Sequence, residues 1–187
     1  AGLEANMAEQ GETLRPDFAL IGPAGNEAAG QAQLLICSYP ADQPLDKPVM
    51  GKHWKATPAT RMMELLHGTN VPLGLVANGE QWMLVYAPRG ETTGYSSWYG
   101  ALWLDEPITL RAFQSLLGVR RFFGVAADST LLALLKESAS DQQEVTDQLG
   151  YQVREAVEVL VQSFDAIHQE SQGAALNGIP PAAVYDA

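Results

Sequence analysis

This chain of 187 residues contains one cysteine, three histidines and half as many Lys and Arg as Asp and Glu. A lone thiol, Cys37, excludes an internal disulfide and suits a reducing compartment. His53, His67 and His168 lack metal-ligand spacing, so no metal centre is expected, and His67 reads as the C-terminal end of a helix. The net charge of −11 opposes autonomous binding to a polyanion, because phosphate contacts need a local excess of Lys and Arg. No apolar run approaches the ~18 residues of a membrane span. The amino end also lacks the basic-then-apolar pattern of a signal peptide. These absences predict a cytoplasmic protein with no membrane partner. There is no Walker loop and no GxGxxG fingerprint.

What is present is a readable order of elements. Asp17 to Ile21 and Gln33 to Tyr39 are short apolar runs on either side of a Gly- and Ala-rich turn, and they read as an antiparallel pair. Pro40, Pro44 and Pro48 then forbid regular structure. A helix follows, with Thr57 as N-cap, Pro58 at its first position and Gly68 just past its end. Leu73 to Val85 reads as a hairpin around Asn78-Gly79, the pair that tolerates positive φ at both centres of a type I′ turn. Thr93 to Leu104, rich in aromatics, is a further strand, and Thr109 caps a short helix that ends at Gly118. The fold class is α/β in the broad sense (α+β), with helices packed on a sheet. Met62, Met63, Trp82 and Met83 belong to its core. Cys37, inside an apolar strand, reads as core rather than as a nucleophile.

The tail differs in kind. From Ala127 onward there are ten acids against Lys136 and Arg154, whereas residues 1 to 126 hold twelve acids and nine bases. Asp128 and Ser140 are plausible N-caps, the latter forming a capping box with Gln143. Apolar residues recur at Val145, Leu149, Val153, Val157, Leu160, Phe164 and Ile167, which is one helical stripe. A helix from Ser140 to Ser171 would be roughly 45 Å long. Part of its stripe is expected to pack on something outside this chain. The division drawn from these patterns is an α/β domain over 1–126 and a helical segment over 127–187. The first residues carry no initiator methionine and the end, Pro180 to Ala187, stops in what looks like a new element, so the chain reads as a piece of a longer protein.

The runs Arg61-Met-Met-Glu-Leu-Leu, Leu73 to Val85, Ser97-Trp-Tyr99, Leu110-Arg-Ala-Phe113 and Gln143 to Leu149 carry a resemblance. In this order they look like the amino-terminal, nuclease-like region of large Eco57I-type restriction-modification DNA (adenine) methylases. The resemblance implies a restriction-endonuclease-like fold of the PD-(D/E)xK type, a mixed sheet with flanking helices, followed by a long helical segment. It further implies an S-adenosylmethionine-dependent methyltransferase domain beyond the present chain, and DNA as the partner of the parent protein. No cofactor is expected in the fragment itself. The Asn-Pro-Pro-aromatic tetrapeptide of such methylases is absent, since Asn177-Gly-Ile-Pro-Pro181 has the wrong spacing.

The nuclease chemistry needs an aspartate at the start of one strand and an acid plus a lysine, two apart, on the next. The carboxylates hold Mg²⁺ and the lysine orients the attacking water. Asp17 supplies the first part. Cys37 stands where the acid should be and Tyr39 where the lysine should be, and neither substitutes. Asp17 is therefore read as vestigial, with Glu64 or Lys47 completing a Mg²⁺ site only if the catalytic residues have migrated. DNA contact, if made, falls to Lys52, Lys55, Arg61, Arg120 and Arg121 and is directed at phosphates. Three readings follow: a degenerate nuclease-like scaffold with possible DNA-backbone contact, an active endonuclease with migrated residues, and a protein-interaction module.

Overall fold

The computed structural model describes residues 2–26, 28–174 and 177, and they divide into two compact units at Lys136/Glu137. The boundary falls ten residues beyond the 126/127 division read from charge. In the first unit, Ala5–Met7 (β1) and Glu12–Leu14 (β2) form a small antiparallel ribbon. The main sheet has five strands: Phe18–Ile21 (β3), Ala32–Ser38 (β4), Leu73–Ala77 (β5), Gln81–Tyr86 (β6) and Gly94–Tyr99 (β7). They lie side by side in chain order. Every neighbouring pair is antiparallel except β4 and β5, which run parallel. A parallel pair cannot be joined by a tight turn, and the connection here carries the helix Pro58–Thr69 (α1). The fold is thus α+β around a mixed sheet, with the expected order strand, strand, helix, strand, strand.

Alternation along the strands explains why the sheet is covered on both faces. Leu35, Cys37, Val76, Met83 and Val85 point to one side, where they pack with Met62, Leu65 and Leu66 of α1 and with Ala5 and Leu14 of the ribbon. Leu34, Ile36, Leu73, Leu75, Leu84 and Tyr86 point to the other. There they meet Phe113 and Leu117 of the helix Pro107–Leu117 (α2), together with Phe122 and Leu131. Burying one such side chain contributes roughly 1.5–3 kcal/mol, so the two layers dominate the stability of the unit. Gly74 marks the closest approach: a Cβ there would sit 2.4 Å from the Met62 sulfur. That absence lets α1 settle directly on β5.

Several local expectations are corrected. The β5–β6 turn is not type I′, since Gly79 has φ 88° but Asn78 does not have positive φ. The register pairs Ala77 with Trp82, which makes Gly79 and Glu80 the two central residues, and positive φ at the first centre alone is the type II′ pattern. Asn78 is instead a buried bracket. Its Oδ1 accepts from the Glu80 and Gln81 amides at 3.1 and 2.7 Å, and its Nδ2 donates to the Gln43 carbonyl at 3.0 Å. Gln43, 2% exposed, in turn ties the proline loop through Pro44, Pro48 and Met50. Thr57 does cap α1, accepting from the Thr60 amide at 3.1 Å. Gly68, however, lies inside the helix, and Asn70 adopts the left-handed cap at φ 58°. Gly68 is where Ala5 of β1 crosses, with 2.3 Å between its Cβ and a Cβ added at the glycine. Thr109 is likewise not the cap of α2, which begins at Pro107.

The long helix, Leu131–Glu170 (α3), starts between its two expected caps, Asp128 and Ser140, and uses neither. Thr130 accepts from the Ala133 amide at 3.2 Å, while Asp128 lies in a preceding 3₁₀ turn and Ser140 is interior. Leu131 to Ala139 contains mostly strong helix formers, so nothing interrupts the helix before Ser140. Its 40 residues measure about 60 Å. Leu131, Leu132 and Leu135 belong to the core of the first unit. From Glu137 the helix forms the second unit, in which Val145, Leu149, Val153, Leu160, Phe164 and Ile167 are exposed. Val184 and Tyr185, and Pro180 and Pro181, lie outside the described residues.

Candidate functional site

Asp17 immediately precedes β3, whose first residue, Phe18, pairs with Ile36, and the Asp17 amide donates to the Ile36 carbonyl at 2.9 Å. Cys37 lies one residue beyond Ile36 on β4, and Tyr39 follows two residues on, on the same side of the strand. The spacing inferred for a nuclease site is therefore also a spacing in space. These side chains line a cavity of about 310 Å³ whose wall continues through Thr13, Arg15, Ser38, Lys52, Arg61 and Met62. Asp17 is the sole carboxylate on that wall, among the described residues.

The chemistry of the wall follows from its contacts. Asp17 Oδ2 accepts two hydrogen bonds from Ser38, one from the amide at 2.6 Å and one from the hydroxyl at 2.9 Å. The carboxylate is thereby committed to fixing the end of β4. Burial, reinforced by the Asp17 charge, pushes the Cys37 thiol up to about 11. Burial first, then Cys37, pushes the Tyr39 phenol up to about 12. Both groups are neutral at pH 7. A thiol held protonated is neither a nucleophile nor a ligand, and a neutral phenol is no general base. One carboxylate beside a soft sulfur does not make a Mg²⁺ donor set, which takes hard oxygens. Among the described residues no three His, Cys, Asp or Glu side chains form a metal-holding group.

Arg61 projects from α1 into the same wall, but its side chain is buried. One arm pairs with Glu12 of β2 and the guanidinium lies 5.0 Å over the Trp54 ring. That combination stabilises a buried cation and leaves it a member of the core. Lys52 lines the cavity, and Lys55 is exposed on the same loop. Lys47 is exposed and 3.8 Å from Asp46. Glu64 is half-buried on α1 and is not among the cavity's lining residues. Arg120 and Arg121 follow α2 and so lie on the opposite face of the sheet. Arg120 is exposed, whereas Arg121 donates to the Ser115 and Ser129 carbonyls at 3.0 and 3.2 Å. The basic residues named from sequence thus split between two faces. Sequence reasoning missed Ser38, Arg15 and Glu12. Ser38 carried a signal in adjoining Cys37 at a strand end, while Glu12 carried none.

No protein-family model, curated protein or solved structure matches this chain. Among the described residues no helix is long and apolar enough to cross a membrane.

Proposed function

We propose that the first unit is a catalytically degenerate, nuclease-like scaffold at the amino-terminal end of a cytoplasmic restriction-modification or phage-defence DNA methylase. The observation that carries this reading is that Asp17, just before β3, lines one cavity wall with Cys37 near the end of β4 and Tyr39 just beyond it. A restriction-endonuclease-like site has its acid and lysine at those two positions, and both are replaced here by groups neutral at pH 7. The methyltransferase domain and its S-adenosylmethionine belong to the parent protein. DNA contact by this unit is to phosphates, through Lys52 and Lys55 beside the cavity.

Two measurements test the reading. Plasmid incubated with the chain and Mg²⁺ or Mn²⁺ stays intact; cleavage that disappears in Asp17→Ala would establish an active nuclease and overturn degeneracy. Anisotropy of a labelled duplex across a salt series yields weak binding, and the Lys52→Ala/Lys55→Ala variant lowers the salt slope by about two. A protein-interaction module is the second reading, favoured by the split of basic residues between faces. It prevails if the duplex does not bind at low salt.

A further inference from the structure

Taken through Ala156 in place of its neighbour Val157, the apolar stripe of the second unit acquires a regular long period. Val145, Leu149, Val153, Ala156, Leu160, Phe164 and Ile167 are spaced four, four, three, four, four, three, which is two 11-residue repeats. An 11-residue period, 3.67 residues per turn, keeps the stripe nearly parallel to the axis of a straight helix instead of winding around it. The six large side chains in this stripe are between 42% and 62% exposed. Glu144, Asp147, Glu155, Glu158 and Asp165 project from the opposite side of the helix, at 100° per residue. The stripe is also nearly symmetric end to end. Ala156 is its midpoint, with Val145 and Ile167 equally far on either side.

We propose that this face binds a second copy of the chain, as an antiparallel, two-fold helix pair that crosses at Ala156. A two-fold contact joins a surface to itself, so it needs a patch that matches its own reverse, and the near-symmetry about Ala156 supplies one. The small central residue lets the two backbones approach, while Val145 of each copy meets Ile167 of the other. Antiparallel helices also set opposite dipole ends together, whereas a parallel pair would bring the acidic runs Glu137 to Asp147 of both copies side by side. With Val157 and Val161 flanking, the stripe offers on the order of 700 Å² per copy, comparable with the roughly 800 Å² each partner contributes to a standard interface.

Light scattering on the full chain at tens of micromolar tests this. The expected mass is twice 20.1 kDa, falling to one chain in Leu160→Glu, with the circular dichroism of the first unit retained. In a Cys37→Ser background, oxidation joins Ala156→Cys to its own copy and leaves Val145→Cys unjoined. A monomer, any larger mass, a dimer indifferent to Leu160→Glu, or Val145→Cys cross-linking as readily as Ala156→Cys each overturns the proposal.

Discussion

Cys37 and Tyr39 are made weaker acids chiefly by burial, and this has a measurable consequence at alkaline pH. The Cys37 thiol is raised from 9.0 to about 11 and the Tyr39 phenol from 10.0 to about 12. In the unfolded chain both ionise earlier, so between pH 9 and 12 the folded state holds more protons than the unfolded state, and stability falls as pH rises. Below pH 9 this contribution is fully present. Urea midpoints measured from pH 8 to 12 are expected to decline across that window, and the decline is expected to be shallower in Cys37→Ala/Tyr39→Phe. At this scale the site was half legible. Asp17, Cys37 and Tyr39 follow from strand alternation and spacing. The Arg61–Glu12 pair does not, because its members are 49 residues apart and only the folded ribbon beside α1 brings them together. Arg61 therefore reads as a surface cation in sequence and is a core residue in the structure.

Among the elements, α1 shows which terminal signals were informative. Thr57 and Pro58 mark its start by local chemistry alone, since the cap hydrogen bond lies within three residues. Its end was misplaced because Gly68 serves the approach of β1 and not the left-handed cap, which Asn70 provides. The two roles separate on substitution. Asn70→Gly is expected to change stability by less than about 0.5 kcal/mol, since glycine also tolerates positive φ. Gly68→Ala is expected to cost about 1–3 kcal/mol, because the new methyl overlaps Ala5 and must displace the ribbon. Equilibrium urea unfolding of both variants distinguishes them. The hairpin turn was misread for a similar reason: Asn-Gly favours type I′ locally, but Asn78 is drawn into the Gln43 bracket, a contact 35 residues distant. The strands of the first pair and of the hairpin were legible because a sheet covered on both faces leaves short, near-continuous apolar runs bounded by turn residues, whereas the parallel β4–β5 seam left no local signal.

For the molecule as a whole, the division into units depends on a few leucines at the start of α3. Charge composition places the boundary near Ala127, yet Leu131 is fully buried with Phe122, and Leu132 and Leu135 pack beside it. A chain ending at Lys136 is therefore expected to unfold in one cooperative transition. A chain ending at Ala126 loses Leu131 and exposes its pocket, at a cost of about 2–5 kcal/mol for that residue alone. Thermal unfolding followed by circular dichroism compares the two, and equal midpoints would show that α3 adds nothing to the first unit. Composition could not reveal this, because the acidic surface of α3 begins within the same turns that carry its buried face.

The one parallel pairing, β4 with β5, also sets the order of events when the chain folds. Pairings between β3 and β4 and along β5, β6 and β7 join strands that are close in sequence. Such hairpins form in roughly microseconds. The two pieces meet only when the long connection through the proline loop and α1 closes, and closing a loop loses chain entropy before any contact rewards it. Val76 and Leu35, buried on facing strands, gain their contacts at that late step. Collapse of the two local pieces is thus expected to precede the crossing that joins them, which places the slow step of folding at a seam that no hairpin contains.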